Sequence, residues 1–572
     1  MSHQPRLRWA FILVIALILT SCKQSLTQTP ATTATESLPQ PTPEQPTLIA
    51  STPAPSGSNA ARLIFTKEFD TLNPIYSTLW QATITHQIWN CWAWDFDEQN
   101  NPVPVLVKEI PSLENGGLSQ DGKTITMHLR DDIVWSDGSP ITSADFAFTF
   151  QMVISPQNSV ATGDLYEKVQ SVQAPDERTV VIAFAEPYIA WLSTLWHGLL
   201  PEHILKPVFD EKGSLDAAEW NSAPSVGCGP FVFQEWKKGE FARFTANEKY
   251  WLGRPKLDEV TIRFVADDAA QAAALKAGEA DLGALIPFSE APDLEAAGLK
   301  VIRMFSGYNE GWFFYLDPAN GHPALQDVRV RKAIAMALDR PSMISNLLKG
   351  QTQPAVSYWD NTPYVDPSLQ PWPYDPEGAK KLLDEAGWVD SNGDSVRDKD
   401  GIDLLLAFGT TDKEIRKSAQ ELAVQQLAAV GIKLSPTNYS DEIFFSSFGS
   451  GGPTATGQLD IFEYAPRPNF PDPDTSDFRC DQIPSADKPN GMNWSAFCDQ
   501  ELDQLFQLES TQVDFQARQQ TFYQISKLIY DKVYFLGLWQ DPDLWGVSTR
   551  LANISISGTT PFYNIHAWEI TP

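Results

Sequence analysis

Histidine is scarce in this chain, seven in 572 residues, and the seven are scattered. No HExxH pair or other close zinc spacing exists, no GxSxG elbow, and no CxxC redox pair. Gly452 to Gln458 has the glycine spacing of a phosphate-binding loop but lacks its lysine. Carboxylates are so numerous, 72 Asp and Glu, that any one pair carries no glycosidase signal. These absences remove the common enzyme templates, so the expectation is a protein that is not an enzyme. Positive charge is also short: 42 Lys and Arg leave a net charge of −30. That argues against nucleic acid or an anionic membrane surface as partner. Beyond the N-terminal stretch, no apolar run approaches the ~18 residues of a membrane-spanning helix.

What is present begins at the N-terminus. Arg6 and Arg8 precede an apolar run from Trp9 to Leu19, closed by Leu19-Thr20-Ser21-Cys22. A short positive region, an h-region too short to span and small residues before a cysteine make an export signal. The order at 19–22 is similar to the bacterial lipobox. Residues 1–21 are therefore expected to be a lipoprotein signal peptide, with Cys22 lipidated. An ordinary secretory signal with an incidental cysteine is the alternative. The expected location is extracytoplasmic and membrane-anchored, in a periplasmic space or on the outer face of the cytoplasmic membrane. Residues 22–58 are Thr, Pro, Ser, Gln and Ala, too poor in large apolar side chains to fold. At about 3.1 Å per residue the prolines would extend this leash to on the order of 100 Å.

Four further cysteines allow three pairings in an oxidising compartment. Cys480 and Cys498, in one Pro/Asn/Asp-rich loop, are the favoured pair. Cys91 with Cys228 follows by elimination, and four buried free thiols are the alternative. Asp390, Asn392, Asp394 and Asp398 alternate as in a calcium loop, but glycine stands at loop position 4 and Gly401 replaces the closing glutamate. A solvated turn is favoured over structural calcium, and no other cofactor is expected.

The body mixes helix and strand without internal repeats. Leu63–Thr66, Thr124–Leu129 and Val260–Phe264 read as strands. Helices are predicted from Ser143, over 267–277, after the Asp375-Pro376 cap, and through Leu502, Phe506, Phe515, Phe522 and Ile529. After the signal, about 550 residues exceed one core and imply two or three domains of α/β type.

Five blocks, in order, resemble bacterial extracellular solute-binding proteins of family 5, which serve dipeptide, oligopeptide and nickel importers. They are Leu72-Asn73-Pro74; Thr126 to Asp145 with Trp135, Asp137, Gly138 and Pro140; Gly227 to Trp251 continued by Ala274–Asp281; Asp327 to Ile334; and Tyr374 to Trp388. The resemblance implies an α/β, two-lobed periplasmic-binding-protein fold with two crossover hinge segments and an extra α/β domain. By block order, lobe one holds 59–100, 220–306 and 535–572, the extra domain 101–219, and lobe two 307–534. It also implies capture of a solute between lobes, as a monomer, for ABC permease subunits in the membrane.

The implied cleft candidates are Tyr76, Thr78, Leu79 and Trp80 after Pro74, and Tyr464, Arg467, Asn469, Phe470 and Asp472. Asn493 and Trp494, with Trp359, Trp312 and Trp539 as aromatic walls, complete the set. Core packing is the competing expectation for each of the nineteen tryptophans. Peptide-binding members carry an aspartate for the peptide ammonium where this chain has Asn469. A neutral amide lacks that charge, which leaves an oligosaccharide as second ligand class and a nickel chelate as third. A ligand sensor without transport and a secreted hydrolase are the other functional readings.

Overall fold

Two long antiparallel strands, Lys300–Phe314 and Phe535–Val547, organise the molecule. The computed structural model describes residues 59–195, 198–466 and 472–571, all within one unit, Pro55–Pro572. The signal, Cys22 and the 22–58 leash lie outside the described residues, as do Arg467, Asn469 and Phe470.

Both strands belong to a ten-stranded mixed sheet. Its order is Lys433–Tyr439, Leu405–Thr411, Ile461–Tyr464, Lys300–Phe314, Phe535–Val547, Leu282–Gly283, Ala60–Phe65, Glu259–Phe264, Phe241–Ala246 and Phe231–Lys237. The sequence of Phe535–Val547 is apolar at both ends because both of its faces are covered. Its pairing with Lys300–Phe314 is regular from Lys300/Val547 to Phe305/Pro542, breaks, resumes at Asn309/Gln540, and shifts once more between Glu310/Trp539 and Gly311/Gly537. Two residues account for the break. Pro542 has no N–H to give to the ladder, and Gly307 sits at φ 87°, a conformation that favours glycine.

The break separates two cores. One gathers Leu63, Trp89, Trp135, Ile182, Phe244, Trp545 and Trp568. The other gathers Trp312, Trp359, Phe408, Phe462, Phe522, Leu536 and Trp539. The chain therefore changes core inside each long strand: Phe535 to Trp539 pack in the second core and Trp545 onward in the first. A small third cluster, with Ile64, Leu275, Leu294 and Leu544, covers the remaining side of the first half-sheet.

A three-stranded antiparallel sheet, Thr124–His128, Thr179–Phe184 and Val169–Asp176, packs with the helix Ser143–Ile154. That helix opens on a capping box between Thr142 and Asp145. Trp135 is fully buried, Asp137 is held by His203, and Gly138 at φ 98° would place a Cβ 2.8 Å from the Lys249 ammonium. These motif residues build a junction.

Both disulfides form: Cys91–Cys228 with Cα atoms 5.4 Å apart, and Cys480–Cys498 at 4.6 Å. Among the described residues no helix is long and apolar enough to cross a membrane.

Candidate functional site: a cleft at the strand break

Leu405–Thr411, Lys433–Tyr439 and Ile461–Tyr464 run parallel, so Thr411, Tyr439 and Tyr464 end along one edge. Gly311 pairs with Tyr464, which puts that edge beside the break at 305–309. In the other half, Ala60–Phe65 and Glu259–Phe264 are also parallel. Ile64 pairs with Gly283 and Gly283 with Gly546, so their carboxyl ends run toward Pro542 at the same break. Open α/β sheets leave a crevice outside the carboxyl ends of their strands. Here two rows of carboxyl ends meet at one break in the two connecting strands, and the candidate site is the cleft between them.

A buried charge cluster stands at this break. Arg416, in the first turn of the helix Glu414–Ala428, donates two hydrogen bonds to Glu310, at 2.9 and 3.0 Å. A third goes to the Thr411 hydroxyl at 2.9 Å. Burial works against the Arg416 charge, but Glu310 more than offsets it and the pKa stands above its ordinary value. On the neighbouring strand, Glu463 is fully buried and accepts the Trp312 indole N–H at 2.8 Å through Oε2. Its Oε1 has no hydrogen-bond partner among the described residues. Burial, then the charge of Glu310, push the Glu463 carboxyl up to about 8. Burial and Glu310 likewise push Asp541 up to about 7. Glu310 alone bonds the guanidinium, while Glu463 and Asp541 feel its charge, and at neutral pH part of this cluster is protonated.

Beside the Tyr464 end of the sheet stands an aromatic cluster in which Tyr464 and Trp494 are buried and Phe445 is exposed. Phe445 is 40% exposed and lies 5.6 Å from Tyr464 and 6.1 Å from Trp494, with Met492 exposed beside Trp494 in the chain. Tyr464 and Trp494 face each other at 5.7 Å. On the lobe-one side, Thr78 and Leu79 are exposed. Leu79 precedes the helix Trp80–Trp89, whose first turn has no side-chain cap. Trp80 lies 5.7 Å from Trp545, on one of the connecting strands.

Several other candidates are drawn into the cores. Trp312, Trp359 and Trp539 are buried, and the Trp359 indole donates to the Asp474 carbonyl. Asn493 is buried, with its amide nitrogen on the Arg479 and Phe497 carbonyls. The Trp494 indole N–H donates to the Gly491 carbonyl. Tyr76 is partly buried, and its phenol is raised by burial and by Asp216. Asp472 pairs with Arg518, which also holds Glu509 at 3.0 Å. The 390–398 oxygens serve their own loop: Asp390 accepts the Gly393 and Ser395 amides, Asn392 the Asp394 amide, Asp394 the Val396 amide, and Asp398 Ser391. Among the described residues no group of three or more His, Cys, Asp or Glu is arranged to hold a metal.

Sequence reasoning missed Glu310, Arg416, Glu463, Asp541 and Phe445. The available signal was a glutamate next to an aromatic run in each of two strands, Glu310-Gly311-Trp312-Phe313-Phe314 and Ile461-Phe462-Glu463-Tyr464.

Comparison with known proteins adds an independent finding. Residues 101–477 match the family described as bacterial extracellular solute-binding proteins, family 5 middle. The oligopeptide-binding protein AppA of Bacillus subtilis is 29% identical over 384 residues, 63% of this chain and 66% of that protein. An ABC transporter peptide-binding protein of Brucella ovis is 32% identical over 380 residues, 64% and 67% of the two chains. The match thus spans about two thirds of each relative's length. The solved structure of Bacillus subtilis AppA with a nonapeptide superposes with a TM-score of 0.60 at 23% identity, covering 90% of this chain and all of that one. NikZ from Campylobacter jejuni with Ni(L-His) gives 0.63 at 24%, covering 89% and 99%. The superpositions establish the two-lobed fold.

Proposed function

The chain belongs to the bacterial extracellular solute-binding proteins of family 5, and from that premise we propose that it captures a peptide or peptide-like solute between its two lobes for an ABC importer. The observation that carries this reading is the pair of strands shared by both cores and broken at one level. Rotation about such a pair opens and closes the cleft while each core stays intact, which is the mechanics of hinge closure on a ligand. Phe445, the exposed ring backed by buried Tyr464 and Trp494, suits apolar side chains. The cluster at the break carries more carboxyl groups than cations, which favours a ligand bearing an amine. The relatives named above as peptide-binding proteins point to the same class.

Delivery is to permease subunits in the membrane. Cys22 carries the lipid that keeps the body near them, since each buried methylene adds about 0.8 kcal/mol of membrane affinity. An oligosaccharide is the second ligand reading, favoured by the many tryptophans and by Asn469 in the sequence.

Native mass spectrometry of the protein purified from its host is the direct test. A co-purified peptide mass supports the peptide reading. Thermal shift against peptide and oligosaccharide libraries separates the classes: a melting temperature raised only by sugars removes peptides. Cys22→Ser should move the protein from the membrane fraction to the soluble one, and retention at the membrane would refute the lipid anchor.

A further inference from the structure

A second cavity lies away from the cleft. It is bounded by the helix Trp80–Trp89, the strand Trp94–Phe96, the 192–195 segment, Tyr250 and residues 559–563. The cavity is small, about 50 Å³, and opens to solvent, with room for a compact head group rather than a large ligand. Its walls are mixed, with the aromatic rings of Trp94, Phe96, Tyr250 and Tyr563 beside polar residues such as Asn90 and Thr560. The Cys91–Cys228 disulfide borders it and ties the end of the helix to the Gly227–Gly229 segment. The Trp94 ring is fixed by its indole N–H on the Leu192 carbonyl, at 2.9 Å, and by Trp191 at 5.4 Å. The cavity is therefore preformed.

One carboxylate lines it, Asp95. No hydrogen bond or ion pair of the Asp95 side chain occurs among the described residues, and the described lining includes no lysine or arginine. Asp95 is partly buried, and a carboxylate that has lost part of its water without gaining a partner is stabilised by a counter-ion. Burial alone raises the Asp95 pKa, to about 7. The titratable groups around it are His86 on the helix, Tyr250 and Tyr563. Tyr250 is close enough for Asp95 to raise its phenol further, after burial.

We propose that this cavity is a second ligand site, separate from the cleft, which takes a small organic cation, an ammonium group on an apolar body, with Asp95 as counter-ion and Trp94 and Tyr250 as walls. The chemistry is specific. A partly desolvated carboxylate prefers a cation, and aromatic faces attract ammonium groups while covering their alkyl part. A metal ion would find one carboxylate and no second acid in the lining, and an anion would meet Asp95.

The test is isothermal titration calorimetry of the full chain with n-butylammonium chloride, against sodium chloride of equal ionic strength and against n-butanol. Saturable binding of the ammonium, about tenfold or more weakened by Asp95→Asn and unchanged when the cleft is filled with a peptide, is the expected result. Asp95→Asn should melt no lower than the natural protein, because it removes a lone carboxylate. If that variant fails to fold, Thr83→Leu, which narrows the cavity from the helix side, gives the same readout. Three results overturn the proposal: no saturable binding, equal binding of n-butanol, or binding that survives both variants and is lost to cleft ligands.

Discussion

Arg416 grips Glu310 through two hydrogen bonds from residues 106 positions apart, joining the first turn of a lobe-two helix to the strand that leads out of that lobe. Both side chains are about 5% exposed, so neither charge has water to fall back on.

Breaking this pair should therefore cost more than a surface bridge. Glu310→Gln leaves a buried guanidinium with one carboxyl fewer, and a loss of about 3–5 kcal/mol in urea unfolding is expected at neutral pH. Glu310→Leu with Arg416→Met should recover much of it, since replacing a whole buried pair by apolar groups is near neutral. A single-variant loss within ordinary surface values of about 0–1 kcal/mol would sink the assignment.

Stability should fall as pH rises through the neutral range. Glu463 has a folded pKa near 8 and Asp541 near 7, both above the ordinary carboxyl value. Between the unfolded and folded values the native state holds protons that the unfolded state has released, so the slope of unfolding free energy against pH is negative. The stabilising contribution is complete below about pH 4. It is lost as pH passes 7 for Asp541 and 8 for Glu463. Glu463→Gln should flatten the slope between pH 5 and 9, as measured by urea titrations at each pH. An unchanged slope contradicts the reading.

The two disulfides should differ in worth. Cys91–Cys228 spans 137 residues and Cys480–Cys498 spans 18. On chain entropy the longer loop contributes about 2 kcal/mol more. Cys91→Ser with Cys228→Ser should lower the melting temperature further than the equivalent 480/498 pair. The reverse order in calorimetry would mean native strain or residual structure dominates.

Binding and stability should separate along the aromatic residues. Phe445→Ala removes an exposed ring and should weaken ligand binding about tenfold, with a melting temperature nearly unchanged. Trp312→Phe should do the opposite. It leaves the Glu463 carboxyl without its indole donor and creates a void in the second core, costing about 1–3 kcal/mol. Differential scanning fluorimetry with and without ligand distinguishes the two.

Much of the local structure was legible. Asp375 caps Pro376–Glu385, Asp267 caps Asp268–Lys276, and the capping box at Thr142 opens Ser143–Ile154, because these signals act within one turn. Strands at Thr124–His128 and Glu259–Phe264 followed from alternation. The Cys480–Cys498 pair was readable from one short loop. The site was less so. Trp312, Trp359 and Trp539 look alike to composition, since an indole serves a core as well as a ligand wall, and burial separates them. Phe445 carries no motif, and only its exposed position beside Tyr464 and Trp494 marks it.

The order of motif blocks along the chain was enough to identify the family, and the two-lobed plan followed from that resemblance; the mixed α/β character was legible because caps, turns and strand periodicity are local properties of sequence. The level of the break in the two long strands, the gathering of Glu310, Glu463 and Asp541 around Arg416, and the single carboxylate in the cavity beside the helix Trp80–Trp89 came from the tertiary structure alone. Each depends on which distant residues share a low-dielectric space, and burial, pKa and partner choice are properties of that space.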